Sequence, residues 1–495
     1  MKVVKINIVD PGSIKTISDK FHAGDKCDDV IGINQRNHEP IGACYVASWT
    51  KKQGFDVSII HPHSDNLSLE EIIAGNPELV AFSCLTFNYP ITRKIVKKIK
   101  NNYPEIITVI GGYHATCIPE EICKEKTNNE KYLFDFVVAQ EADWTLGDLA
   151  EFLNGKRKRE DIRGKIYEQG KLQINNFSRF DPNLNPIPFR TKDMMLGRRR
   201  QGLYYPAPSQ QESVALFVWS RGCPYNCEFC ISAKMFTHSR GESPIRFRSI
   251  KNVIKEVRFC QDNFGTNFGF AVDLNFYGGN RDRMKKLCKK LGETGLKWYA
   301  MSRLDVDLEL LEIMQAGGCT GTGFGVESLT NIRKSGTTMS IDKWKARAKE
   351  VATRMKELGM ISKFYYILGG PEETLADIEA EGEAICEVFA DEIRLSWMMI
   401  SPGTPLFDKL KKGGGLEKNG KDLSLFSTDF PVIRVSDTTA EKLQNLRLSI
   451  YREFYSPRRY GPHARSMIAS FPRLEQSFDE WDTILKQSLG RGWKE

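Results

Sequence analysis

The chain has 495 residues, 41% hydrophobic and 27% charged, with a formal net charge of +8. At roughly 150 residues per domain this length predicts two to four domains, and the composition excludes a disordered or fibrous chain. The opening MKVVKINIVDPG has no signal-peptide core and no apolar run reaches the ~20 residues of a bilayer span, so a cytoplasmic protein without a membrane span is expected.

Residues 1–155 alternate apolar runs with amphipathic ones. VVKINIV (3–9), FDVSII (55–60), ELVAFS (78–83), ITVIGG (107–112) and DFVVA (135–139) read as buried parallel strands. IGACYVASWTKKQG, closed by Gly54, and YPITRKIVKKIKNN, preceded by the turn-favouring Asn88, read as helices between them. Such alternation predicts a doubly wound, flavodoxin-like sheet, which binds ligands beyond the carboxyl ends of its strands. The Asp10 to Glu39 connection is long enough to be a functional loop. Residues 156–212 hold several prolines and the basic runs Lys156–Arg159 and Arg198–Arg200, and read as a linker. Without aromatic interleaving, the basic runs favour solvated connectors over a nucleic-acid surface.

From residue 213 to 402 the alternation resumes: VALFVWS (214–220), FGFAVDLNF (268–276), LKWYAMSR (296–303), GTGFGVES (321–328), KFYYILGG (363–370) and IRLSWMMI (393–400), with helical patterns in the five gaps. Six strands and five crossovers predict a partial or complete barrel, with a flat two-sided sheet as the alternative. Residues 403–495 read as a mostly helical region that covers the barrel.

The 12 cysteines are not expected to form a disulfide framework in the cytoplasm. In SRGCPYNCEFC, Cys223, Cys227 and Cys230 follow the first barrel strand on a loop loosened by Gly222 and Pro224. Three thiolates this close can share one metal centre, and iron-sulfur is favoured because zinc would want a fourth ligand and only the lone His238 is near. Three buried structural cysteines are the bland alternative. Cys260, Cys288, Cys319 and Cys386 fall on helix or strand patterns and read as core.

CPYNCEFC resembles the signature of radical S-adenosylmethionine enzymes, C-x3-C-x-Φ-C. The segments VDLNF, SRLD, GFGVES, LGGPEET and SPGTPLF resemble, in order, that family's later strand motifs. The resemblance implies a 4Fe-4S cluster on the three cysteines, whose open iron is chelated by S-adenosylmethionine. One electron, from a reducing partner such as flavodoxin or ferredoxin, then yields a 5′-deoxyadenosyl radical in an oxygen-sensitive reaction. It places Phe229, Ile367 and Leu368 near the adenine, Asp273 and Asn275 facing the methionine moiety, and Arg303 and Glu327 near the carboxylate and ribose.

The amino-terminal domain resembles the cobalamin-binding module fused to many of these enzymes, through HEPIGACYVASWTKKQGFDV, SCLTFN, GGYHATCIPEE and QEAD. The resemblance implies cobalamin contacts from Pro40, Gly42, Ser83, Leu85, Thr86, Gly111, Gly112, His114, Thr116 and Glu141. Two features depart from the pattern. The Asp-x-His-x-x-Gly stretch is absent, and Gln140-Glu141-Ala142-Asp143 stands where the family often shows Gly-Glu-Gly-Glu.

The implied function is methyl transfer to an unactivated carbon or a phosphorus, one S-adenosylmethionine methylating cobalamin and a second supplying the radical. Ring closure, ring rearrangement or oxygen insertion with the same cofactors is the rival. An RNA methylthiotransferase is disfavoured because Cys27, Cys44 and Cys84 are scattered. A cobalamin-binding sensor without catalysis is disfavoured by the cysteine triad. Whether the substrate is a small molecule, a natural-product intermediate, a lipid or a peptide is not legible.

Overall fold

The computed structural model describes residues 3–11, 40–60, 68–168, 184, 214–236, 245–416 and 422–494, apart from positions 226, 279, 332–336, 338, 427, 436–437 and 491. Most of the Asp10–Glu39 loop, Cys27, His238 and the arginine run ending at Arg200 lie outside the described residues.

The first sheet contains β1 (Lys5–Val9), β2 (Asp56–Ile60), β3 (Leu79–Ser83), β4 (Ile107–Gly111), β5 (Phe136–Ala139) and β6 (Lys165–Glu168), in the order β2-β1-β3-β4-β5-β6. Five strands are parallel and hydrophobic on both faces, as burial by helices on both sides requires. Helix α1 (Ile41–Lys52) packs on one face, and α2 (Leu69–Ile73) and α3 (Tyr89–Asn102) contribute to the other. Short helices α4 (Tyr113–Cys117) and α5 (Pro119–Cys123) follow β4, and α6 (Thr145–Leu153) follows β5.

The expected linker does not begin cleanly at residue 156, because β6 lies inside it and closes the sheet as an antiparallel edge. At four residues it is too short for alternation to reveal it. The run before it is tied down locally: Arg157 pairs with Glu151 at 2.7 Å and with buried Asp148 at 3.2 Å, and Arg159 pairs with Glu168.

The second sheet is all parallel and strictly sequential: β7 (Val214–Phe217), β10 (Phe268–Ala271), β11 (Lys297–Arg303), β12 (Cys319–Glu327), β13 (Ile361–Leu368) and β14 (Glu392–Trp397). The five crossovers are α8 (Ile250–Phe264), α9 (Arg281–Gly292), α10 (Leu308–Ala316), α11 (Ile341–Glu357) and α12 (Leu375–Cys386). No pairing joins β14 to β7, so the sheet is a partial barrel. Phe364, Tyr366 and Leu368 of β13 belong to the core shared with the helices, whereas Lys363, Tyr365 and Ile367 take the opposite, inner face.

Two expected strands are shorter than their apolar runs. The first breaks after Phe217, because the Asp273 carboxylate takes the backbone N–H groups of Trp219, at 3.0 Å, and of Ser220. The chain then forms β8 (Ser220–Arg221), which pairs antiparallel with β9 (Arg246–Phe247). The second expected strand, 268–276, ends at Ala271.

The carboxyl-terminal region is helical as expected, in α13 (Pro405–Gly413), α14 (Ala440–Phe454), α15 (Pro457–Ser470) and α16 (Glu475–Leu489), numbered after α7 (Ser232–Phe236) and the crossovers. Its last three helices cover the open edge of the barrel. The Leu395 N–H donates to the Tyr451 hydroxyl at 2.7 Å and the Ile393 N–H to that of Tyr455 at 2.9 Å, satisfying donors that an edge strand otherwise leaves bare. An apolar cluster running from Met398 to Ile433 takes in Phe229 of the cysteine loop and Ile367, and the Leu406 N–H donates to the Glu228 carbonyl at 3.4 Å.

Candidate functional site

The cysteine loop leaves β8 at Gly222, whose φ of +100° is a left-handed conformation that glycine adopts at little cost. The Cys230 N–H donates to the Cys227 carbonyl at 3.0 Å, closing a turn that turns the triad onto one side. All three cysteines are half-buried, and none is in a disulfide. Burial pushes the Cys227 thiol up to about 11, with the Cys230 and Cys223 thiolates adding to the rise and Arg303 opposing it; Cys223 is raised for the same reasons. The three sulfurs therefore share one field, which a positive centre would stabilise. Among the described residues no three His, Cys, Asp or Glu side chains close to the spacing of a single ion. Three cysteine thiolates are a donor set that suits a cubane, one on each of three irons.

Around this loop the strand ends place most of the candidate residues. The Arg303 guanidinium lies over the Tyr225 ring, 4.0 Å from its centroid, with Nε 3.4 Å from Asp305. Glu327 ends β12 at φ +65°, next to a register shift between Gly325 and Glu327, and its field reaches Cys227. A side chain at Gly325 would come within 2.6 Å of Glu327 Oε1, so the carboxylate folds over the glycine. Asn275 is buried with its Oδ1 3.4 Å from the Ser302 hydroxyl. Phe229 and Ile367 meet in one apolar cluster.

Two expected roles need correction. Leu368 cannot border the same space as Ile367 with its side chain, because successive strand residues point to opposite faces and Leu368 sits in the helix-facing core. Asp273 is fully buried, with Oδ1 taking the Ser220 hydroxyl at 2.9 Å besides two backbone N–H groups. Its carboxyl, raised to about 6 by burial, fixes the start of the cysteine loop and does not face open space.

In the first domain, Ser83, Leu85, Thr86, Gly111, Gly112, His114 and Thr116 lie at or just beyond the carboxyl ends of β3 and β4, where open parallel sheets bind their ligands. Gly112 is at φ +90°, and a Cβ there would strike the Cys84 backbone at 2.8 Å. Leu85 is exposed beside it, an apolar ledge on an otherwise polar rim. His114 is fully buried: Nδ1 lies 3.2 Å from Thr86 Oγ1, Nε2 has no partner, and desolvation lowers the imidazole to about 4. The exposed Leu85 offers an apolar contact to a flat macrocycle, while Gly112 lets the loop after β4 pack closely on the Cys84 backbone. Pro40 and Gly42 start α1, the first buried and the second exposed.

Glu141 departs from the expectation. Its Oε1 accepts from Arg221 at 3.1 Å and from Arg246 at 2.6 Å, so the carboxylate is turned to the barrel. Asp143 takes Arg221 in a fork at 2.5 and 2.9 Å. Gln140 stands at φ +69°, the conformation of the glycine usual in this loop, and its N–H donates to Thr116 Oγ1 at 2.8 Å. The sequence reading missed Arg221, Arg246 and Asp143 as a group, although Arg221 lies two residues before Cys223. Cys44 and Cys84 are buried apart from the triad, as are Cys260, Cys288 and Cys319, while Cys386 is half-buried.

The fold and its two constellations define a two-domain enzyme. The B12 binding domain model matches residues 30–150 and the radical SAM superfamily model matches residues 217–384. The chain belongs to the radical S-adenosylmethionine enzymes that carry a B12-binding domain, with a 4Fe-4S cluster, S-adenosylmethionine and cobalamin as the cofactors of those two domains. It is 27% identical to an uncharacterized methyltransferase of Pyrococcus horikoshii, over 92% of this chain and 93% of that one. It is 23% identical to the anaerobic magnesium-protoporphyrin IX monomethyl ester cyclase of Cereibacter sphaeroides, over 84% of this chain and 67% of the relative. The structure of the methyltransferase TsrM from Kitasatospora setae, solved with cobalamin and a 4Fe-4S cluster, shares the fold at a TM-score of 0.61 and 16% identity, over 92% of this chain and 86% of that one. No helix among the described residues is long and apolar enough to cross a membrane.

Proposed function

We propose that this chain is a cobalamin-dependent methyltransferase acting on an unactivated carbon or a phosphorus centre of a small molecule, supplied with electrons by a protein such as flavodoxin or ferredoxin. The observation that supports it most is the joining of the two sites. The α4 helix of the corrin crevice contacts α7, just beyond the cysteine loop, with Thr116 Oγ1 3.5 Å from Met235 Sδ. The end-to-end match to the Pyrococcus horikoshii methyltransferase adds weight, since it spans both domains.

When bound, the cofactors supply an electron that splits the sulfur–carbon bond of S-adenosylmethionine and a cobalt that carries a methyl group. Cys223, Cys227 and Cys230 would hold the cluster as thiolates, which the Arg303 charge favours. Phe229 and Ile367 would wall the adenine and keep water from it, while Asn275, Arg303 and Glu327 would bind the polar end of S-adenosylmethionine. Asp273 would position the loop through Ser220. Leu85 and Thr116 would support the corrin face, with Gly112 and the neutral, buried His114 holding the loop after β4 in place.

The experiment is product analysis under anaerobic turnover with candidate acceptors. Methyl transfer yields both S-adenosylhomocysteine and 5′-deoxyadenosine with a methylated product. The second reading, ring closure, is favoured by the cyclase relative and yields 5′-deoxyadenosine without S-adenosylhomocysteine. That outcome overturns the methyltransferase.

A further inference from the structure

The seam between the two domains is built of buried charge. On the first-domain side stand Glu141 and Asp143, after β5, and Tyr45 of α1. On the barrel side stand Arg221 and Arg246, paired on β8 and β9, with Arg248 and Glu256 behind them. The side chains of Glu141, Asp143, Arg246, Arg248 and Glu256 are all 6% exposed or less, and Arg221 is 13% exposed. Arg221 lies over the Tyr45 ring at 5.7 Å, and the Tyr45 hydroxyl donates to Glu256 Oε1 at 3.2 Å. Arg248 returns the connection to the barrel through Glu256, at 2.5 Å, and the Val218 carbonyl, at 3.2 Å.

An apolar seam would hold two domains together at least as well, because desolvating paired charges cancels most of their attraction. What a buried fork adds is a single register: a guanidinium held by two carboxylates, as Arg221 is by Asp143 and Glu141, tolerates little sliding or rotation. The location gives that register a purpose. Arg221 precedes Cys223 by two residues, while Glu141 and Asp143 follow Gln140, whose N–H is anchored on Thr116 in the corrin crevice. On the other side of the triad, Met235 meets the same Thr116 hydroxyl. The cysteine loop is therefore held to the crevice at both ends.

We infer that the Glu141–Arg221–Asp143–Arg246 network is a positioning device that sets the separation of cluster and corrin, its residues touching neither reacting atom. The inference rests on the two-cofactor reading. Loss of the register lets each half keep its own chemistry while the halves cease to cooperate.

The test compares wild-type holoenzyme with Asp143→Asn, Arg246→Gln and the charge-preserving Arg246→Lys. Cob(II)alamin relaxation by the reduced cluster is measured by electron paramagnetic resonance. Iron and cobalamin contents are expected to match wild type in all three. The cluster-induced relaxation enhancement is expected to fall in Asp143→Asn and Arg246→Gln and to recover in part in Arg246→Lys. With a methyl acceptor in hand, product per S-adenosylmethionine cleaved falls about tenfold or more, as small misplacements of reacting groups do. Unchanged relaxation in Asp143→Asn and Arg246→Gln overturns the inference, and so does loss of either cofactor in Arg246→Lys, which would make the network merely structural. Because the relaxation measurement needs no methyl transfer, failure of the methyltransferase reading leaves this result separately decidable.

Discussion

Glu327 offers a perturbation whose two consequences have opposite signs. A non-glycine residue in the left-handed region costs about 1–2 kcal/mol, and Glu327 holds φ +65° at the end of β12. Glycine relieves that strain but adds about 0.5–1 kcal/mol of unfolded-state entropy, so Glu327→Gly is expected to leave stability unchanged or raise it by up to about 1.5 kcal/mol. The same change removes a carboxylate proposed to bind S-adenosylmethionine. A charge-assisted hydrogen bond is worth about 1.5–3 kcal/mol, which raises the KM for S-adenosylmethionine roughly ten- to hundredfold. Gly325→Ala acts more mildly: its methyl would come within 2.6 Å of Oε1 and push the carboxylate aside at the end of a flexible chain. The assay is anaerobic 5′-deoxyadenosine formation against S-adenosylmethionine concentration, with urea unfolding alongside. A Glu327→Gly enzyme with wild-type KM, or one that loses several kcal/mol of stability, refutes the reasoning.

Three further outcomes follow from the geometry. Burial lowers the His114 imidazole to about 4, below its unfolded 6.5, so the unfolded chain binds the proton first. The resulting stability is fully present above about pH 6.5 and is lost as pH falls towards 4, in total roughly 3 kcal/mol; urea titrations of the apoprotein at several pH values should show this acid limb, and His114→Gln should flatten it. Tyr451→Phe strands the buried Leu395 N–H on β14 and should cost about 1–3 kcal/mol in the same assay. Gly112→Ala, at φ +90° and 2.8 Å from the Cys84 backbone, should reduce cobalamin retention on gel filtration while leaving the iron content of the reconstituted cluster unchanged.

The two sheets were legible because buried parallel strands are long apolar runs and their crossovers have helical periodicity; Tyr89–Asn102 matches its predicted helix residue for residue. The cysteine triad was legible because its ligands are adjacent in sequence. What escaped is non-local. Glu141 looks like a crevice residue until Arg221 and Arg246 arrive from residues about 80 and 105 positions away. Asp273 reads as a strand-end polar group, and only the tertiary structure shows its carboxylate gathering the N–H groups that break the first strand. Leu368 stands beside Ile367 in the motif, but alternation along β13 allows one of the two to face inward. The short elements, β6, β8 and β9, carry too few residues for a period to register.

The most direct test of the account follows the methyl group itself. The protein is reconstituted anaerobically with iron, sulfide and hydroxocobalamin, reduced, and given S-adenosylmethionine bearing a trideuterated methyl group; the corrin is then recovered and analysed by mass spectrometry. The account predicts labelled methyl on the recovered corrin with an equivalent of S-adenosylhomocysteine, and in the Cys227→Ala protein a loss of 5′-deoxyadenosine formation. Corrin retained by the protein but recovered without label would contradict it.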